Sequence, residues 1–258
     1  MATMVSFHAH PDDECITCGG VMRAAADAGH RVVLVVATRG EHGEIVPGVL
    51  SDGETLAQRR VKETHDSAEV LGAERVEFLG YTDSGMVDTE TNGEPGSFWS
   101  ADVEEAAERL AAILREEDAE VLTVYDRIGG YGHPDHIQVH RVGRRAGELA
   151  GTPRVYEATS NRDDFRRMAE MAREAGEEMP DLDPEAFGSP ESVLTTRVDV
   201  TPWLKAKRAA MRVHRSQIPE DSFFLALPDD RFAMAFGTEW FIRVGGDPAQ
   251  REDTLFPA

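Results

Sequence analysis

Residues 6–20 read SFHAHPDDECITCGG. A short apolar run over 4–7 precedes the histidines, and helical spacing follows over about 16–27, stopping at Gly29. The acidic HPDDE segment therefore sits where a buried strand gives way to a helix. Two spacings in this stretch suit a metal, His10-x-x-Asp13 and Cys15-x-x-Cys18. A tetrahedral thiolate site needs more soft ligands than two, and the chain has no further cysteine. The acidic run before Cys15 would also raise a thiolate pKa rather than lower it, so Cys15 and Cys18 read as helix packing, with Cys18 at the pocket floor. A pair this closely spaced excludes a structural disulfide framework.

Outward from this stretch, strand and helix patterns alternate. RVVLVVAT (31–38) is a β-branched run suited to a strand buried on both faces. A helical pattern over about 54–71 closes at Gly72, RVEFLG gives a third strand, and ADVEEAAERLAAILREE has helical spacing. AEVLTVY (119–125) is a fourth strand, and a helix follows His133-Pro134. Repeated units of this kind predict an α/β protein with a mostly parallel sheet covered by helices on both faces. The last third is less regular. PRVYEAT, TTRVDV and EWFIRV are strand-like, and Thr201-Pro202 is an N-cap and first-turn pair opening a helix to about His214. Segments 80–100 and 176–192 read as long loops.

The 258 residues carry Lys+Arg 27 against Asp+Glu 48, a formal charge of −21, with lysine only at Lys62, Lys205 and Lys207. Such a surface repels nucleic acid and anionic membranes. No basic and apolar leader opens the chain and no apolar run approaches about 18 residues, so a soluble, cytoplasmic protein is expected.

In open parallel sheets, ligands sit beyond the carboxyl ends of the strands. HPDDE, RGEHGE (39–44), GYTDSGM (80–86) and GGYGHPDH (129–136) each follow a predicted strand, so four loops converge on one rim. There His10, Asp13 and His136 offer two imidazoles and a carboxylate, a set that suits zinc or ferrous iron and leaves positions open for water and substrate. Asp12 beside them is the candidate base, and His133, oriented by Asp135 and positively charged, would face an oxyanion. Acids at a helix start also stabilise its positive end without any metal, and it is the pairing of the two motifs at strand ends that favours a metal site. A nucleotide-binding module is disfavoured, because no G-x-G-x-x-G follows the first strand and its loop carries acids.

HAHPDDE together with GGYGHPDH resembles the zinc-dependent de-N-acetylases of the PIG-L or LmbE-like family, which includes the deacetylase and the S-conjugate amidase of mycothiol metabolism. TRGEHGE, QRRVKE and LGYTDSGM extend the likeness over about the first 160 residues. The resemblance implies a Rossmann-like three-layer fold with a mostly parallel sheet and an additional C-terminal α+β segment. It makes 1–258 a single domain, with 1–160 the core and 161–258 a segment covering the site. It further implies zinc on His10, Asp13 and His136, with ferrous iron the other candidate, and Asp12 as general base. His133 would stabilise the oxyanion or protonate the leaving amine with Asp135 behind it, and Tyr131 would donate to the substrate carbonyl. Glu44, Arg60, Asp83 and Met86 match positions that line the sugar pocket. The implied reaction removes an acetyl or acyl group from a small-molecule aminosugar conjugate, with a homo-oligomer compatible. The S-conjugate amidase reaction on a larger amide is the alternative, but those amidases carry a lysine where this chain has Cys18. His214 and Gln217, in a helix similar to one in many members, are expected at the mouth of the site or packed on the sheet.

Overall fold

The apolar runs become the inner strands of one sheet. In the computed structural model, which describes residues 1–174 and 186–256, seven strands are assigned: β1 (Thr3–His8), β2 (Arg31–Val36), β3 (Arg75–Phe78), β4 (Val121–Tyr125), β5 (Arg154–Thr159), β6 (Thr196–Asp199) and β7 (Thr238–Arg243). Their order is β3-β2-β1-β4-β5-β7-β6. The first five pair in parallel, and β7 runs antiparallel between β5 and β6. β1, β2 and β4 are buried almost throughout, which is why they read as unbroken apolar runs, whereas β6 alternates buried and exposed. β1 lies between β2 and β4: the chain runs from β1 outward through β2 to β3 and then crosses to β4 on the other side of β1. The strand order reverses between β1 and β4, and in open sheets of this kind the loops that follow the carboxyl ends of such strands are where ligands bind.

The helices are α1 (Asp13–Thr17), α2 (Gly19–Asp27), α3 (Leu56–Leu71), α4 (Val103–Glu116), the single turn α5 (Gly129–Gly132), α6 (Pro134–Ala150), α7 (Arg162–Glu174) and α8 (Leu204–Val213), followed by the short α9 (Phe223–Ala226) and α10 (Asp229–Phe236). They pack in two groups, α2 and α3 with α8, and α4 with α6, and both groups touch the sheet. Local chemistry sets several boundaries. Thr55 and Gln58 close a reciprocal capping box on α3, and Gly72 ends it in the left-handed region at φ 80. Gly143 brings α6 close to β4: a Cβ there would lie 2.2 Å from a methyl carbon of Val124. That close approach seats the start of α6, with His136, over the end of β4.

Two expectations are corrected. The helix placed over 16–27 starts at Asp13 and breaks at Cys18, because the Glu239 carboxylate accepts the Gly20 and Val21 N–H groups at 2.8 and 2.9 Å and so begins a second helix there. Thr201 is not an N-cap; Thr201–Trp203 form a 3-10 turn before α8 starts at Leu204. The expected loop over 80–100 is folded back on itself, with the Ser84 carbonyl accepting from the Thr91 hydroxyl and the Asn92 amide. Most of the acidic loop expected over 176–192 lies outside the described residues.

The C-terminal third shares the core of the rest. One buried apolar cluster runs from Met4 to Leu255, and Lys207 of α8 pairs with Glu239 of β7 at 2.5 Å, with side chains 1% and 2% exposed.

Candidate metal centre and active site

β1 ends at His8, and the next residues turn sharply. Asp12 adopts φ 99, ψ −28, a left-handed conformation unusual for a residue with a side chain. The turn folds Asp13 back so that its Oδ2 accepts the His10 N–H at 2.8 Å. α6 brings His136 to the same point. His10 Nδ1 lies 3.5 Å from Asp13 Oδ2 and 3.3 Å from His136 Nε2, which is 3.4 Å from Asp13 Oδ2. Metal–ligand bonds of about 2.0–2.1 Å in tetrahedral geometry set donor atoms roughly 3.4 Å apart, so the triangle fits such an ion on geometry as well as on donor type. His133 also has a donor atom within 4.8 Å of those of His10 and His136, as do Asp83 and Asp135 relative to His10. Asp13 is held well below the usual carboxylate range: burial opposes ionisation, and His136 and His10 outweigh it.

The far side of the His10 ring is fixed by acids. Its Nε2 lies 3.2 Å from Asp135 Oδ2 and 3.4 Å from Asp83 Oδ1, and Asp135 Oδ2 also accepts the Ser84 N–H at 2.9 Å. This corrects the expectation that Asp135 orients His133. The Asp135 carboxylate serves His10, the carboxylate–histidine pairing seen behind metal ligands, and only its backbone N–H reaches His133, donating to Nδ1 at 3.1 Å. That bond makes His133 the N-cap of α6. The expected positive charge on His133 is also corrected: burial, with His10 and His136 adding to it, lowers its pKa to about 4. With Nδ1 accepting, the neutral ring carries its hydrogen on Nε2.

Tyr131 stands on α5 between Gly130 at φ 73 and Gly132 at φ 92, positive angles that glycine adopts readily. Asp126 Oδ1 braces the turn by accepting the Ile128 and Gly130 N–H groups. The phenol ring is 50% exposed, 5.0 Å from the His136 ring and 6.2 Å from that of His133. It lies at the mouth of the centre.

Asp12 lies beside the triangle. Burial pushes its carboxyl up to about 6 against the pull of Arg60, with neighbouring Asp13 adding to the rise. Arg60, expected to line the sugar pocket, is buried behind the turn. Its guanidinium bonds the Pro11 and Gly40 carbonyls and meets Asp12 Oδ2 at 3.2 Å, so it grips the loop that carries Asp12. Asp83, also expected in the pocket lining, is buried against His10 and accepts the His42 and Gly85 N–H groups. Glu44 and Met86 are exposed on the loops after β2 and β3. His214 is not at the mouth; it is fully buried and bonds Glu14 Oε1 at 2.7 Å. Gln217 stands nearer the rim, where its amide donates to the Glu44 carbonyl at 2.9 Å.

Sequence reasoning missed Glu14, Ser67, Ser84 and His8. His8 lies under the centre in a buried chain in which Nδ1 meets the Tyr125 hydroxyl at 2.9 Å and Nε2 meets Ser6 Oγ at 2.7 Å. The available signal was a polar residue inside an otherwise apolar strand, for His8 as for Ser6. Cys15 and Cys18 are buried, unpaired and part of the core, and burial pushes both thiols up, Cys18 to about 12.

Residues 5–147 match the family model PIG-L, described as GlcNAc-PI de-N-acetylase. A 1D-myo-inositol 2-acetamido-2-deoxy-alpha-D-glucopyranoside deacetylase of Streptomyces griseus is 40% identical, the alignment covering 96% of this chain and 86% of that protein. A protein of the same name from Nocardiopsis dassonvillei is 42% identical over 93% of this chain and 94% of its own. Among solved structures, the N,N'-diacetylchitobiose deacetylase of Pyrococcus horikoshii is 26% identical with a TM-score of 0.60, covering 94% of this chain and 83% of that one. The matched segment contains both histidine motifs, and the similarity continues past it into the C-terminal strands. This chain belongs to the PIG-L family.

Proposed function

We propose that this chain is a metal-dependent deacetylase that hydrolyses the acetamide of an N-acetylglucosaminyl-inositol, the substrate class in the names of its relatives. The reaction class is hydrolysis of a linear amide C–N bond. The observation that carries the reading is the triangle of His10, Asp13 and His136 with Asp12 beside it. The three ligands would hold zinc, with ferrous iron the other candidate. A bound ion supplies Lewis acidity that acidifies water and polarises an amide carbonyl.

The chain's own groups do the rest. Asp12, whose carboxyl is raised toward neutrality, takes the proton from the attacking water. His133, neutral and hydrogenated at Nε2, donates a hydrogen bond to the oxyanion that forms on the carbonyl, and the Tyr131 hydroxyl donates a second from the mouth. The proton held by Asp12 then passes to the leaving amine. Asp135 and Asp83 keep the His10 ring turned. Glu44 and Met86 stand at the rim where the sugar would lie. The C-terminal segment belongs to the same catalytic unit, since Ser216 and Gln217 bond the backbone of Val46 and Glu44.

A deacetylase is favoured over an S-conjugate amidase by the names of the relatives. The test is amine release from N-acetylglucosaminyl-inositol and from a thiol conjugate, using protein stripped by a chelator and reloaded with zinc or ferrous ion. Faster release from the acetamide, and only after reloading, is expected. Release from the thiol conjugate alone, or undiminished release from stripped protein, would overturn the reading.

A further inference from the structure

We infer that Glu14 is a positioning residue for Asp12, and that His214, two hundred residues later, holds Glu14 in that task. The inference rests on Asp12 acting as the base. Asp12 occupies a sparsely populated backbone region, and a conformation of this kind persists only where its surroundings enforce it. Its N–H donates to Glu14 Oε2 at 2.9 Å. The other oxygen, Oε1, accepts from Ser67 Oγ of α3 at 2.6 Å and from His214 Nε2, just past α8, at 2.7 Å. Glu14, Ser67 and His214 are all fully buried.

Two distant segments, α3 and the end of α8, therefore converge on one carboxylate, and what that carboxylate holds in turn is the peptide N–H of the base. Arg60 meets the Asp12 carboxylate itself at 3.2 Å. Backbone and side chain of Asp12 are thus both held. A residue needed only to fill space here would be apolar, because burying a carboxylate is costly unless its oxygens are satisfied. The hydrogen bonds of Glu14 have a direction, and they aim Asp12. The C-terminal third thereby reaches the reacting groups through His214 without touching substrate.

The experiment compares Glu14→Gln, Asp12→Asn and the double variant in the zinc-loaded full chain, measuring kcat, KM and bound zinc. Glu14→Gln is expected to lower kcat about 10- to 100-fold, the usual cost of losing a supporting hydrogen-bond partner. KM and zinc content should stay at the wild-type level. In the Asp12→Asn background, the same change should add no further loss, because a residue that acts through Asp12 has nothing left to position. Ser67→Ala, which removes one hydroxyl and leaves the apolar packing intact, carries the same comparison if Glu14→Gln does not fold. Wild-type kcat in Glu14→Gln and Ser67→Ala, a loss that multiplies with that of Asp12→Asn, or a loss of zinc would each overturn the inference. Full activity in Asp12→Asn alone would instead remove the base on which the proposed reaction depends, so the two failures are distinguishable.

Discussion

Two buried polar clusters flank the turn after β1, and they are built in opposite ways. Around Glu239 every group has a partner: one oxygen binds Lys207 at 2.5 Å and the two oxygens together accept the Gly20 and Val21 N–H groups at the start of α2. Around His10, Asp13 and His136, two ring nitrogens and a carboxylate oxygen face one another at 3.3–3.5 Å, three metal-ligating atoms set around a common point. A satisfied cluster locks elements together, whereas one that gathers metal-ligating atoms around a point invites a cation. Both are buried and both join distant parts of the chain, so burial and sequence separation do not distinguish them. The gathering of three metal-ligating atoms around one point does.

That contrast can be broken by mutation. The largest effect is expected from His136→Ala, which should abolish both metal binding and turnover while leaving the Lys207–Glu239 lock intact; metal content and amine release measure it. Asp12→Asn comes next, with metal retained and kcat down by about 10²- to 10⁴-fold. Asparagine tolerates the left-handed backbone at that position, so the protein should stay folded. Lys207→Met reverses the pattern. It leaves a buried carboxylate without its cation, which costs about 3–5 kcal/mol in a denaturant titration, while the folded fraction keeps its metal and its kcat. Metal loss in that variant would dissolve the distinction between lock and site. The smallest effect belongs to Tyr131→Phe, which removes one hydrogen-bond donor at the mouth: kcat should fall about tenfold, or roughly 1.4 kcal/mol, with the melting temperature unchanged.

How far each cluster could be read from sequence follows from how it is assembled. His10 and Asp13 belong to one local motif, and His136 joins them because parallel strands deliver their following loops to the same rim. Strand order then explains why the loops after β2 and β3 gather beside them. Lys207 and Glu239 carry no such mark, since a lysine inside a helical pattern and a glutamate at the start of a strand look solvent-exposed until packing brings them together. The same holds for Glu14, which in sequence is one more acid at a helix start, and for Asp135, where proximity to His133 suggested a partnership that the fold gives to His10. Arg60 is expected from the resemblance to line the sugar pocket, but the fold turns it another way. Its guanidinium turns inward to the Pro11 and Gly40 carbonyls, and nothing in the spacing of QRRVKE states which way it faces. Local propensity also failed at Cys18, where the carboxylate of a residue more than two hundred positions away splits one helix into two.

The position of β7 has a consequence for how the protein is made. It is inserted antiparallel between β5 and β6, next to the parallel strands that emerge first. During synthesis, His10, Asp13 and His136 are all in place in the chain once His136 has been added, well before His214 and Glu239. On the proposed reading, the nascent chain acquires its candidate cation donors early and the brace behind Asp12 late, so translation supplies the ion-holding groups before the group that would position the base.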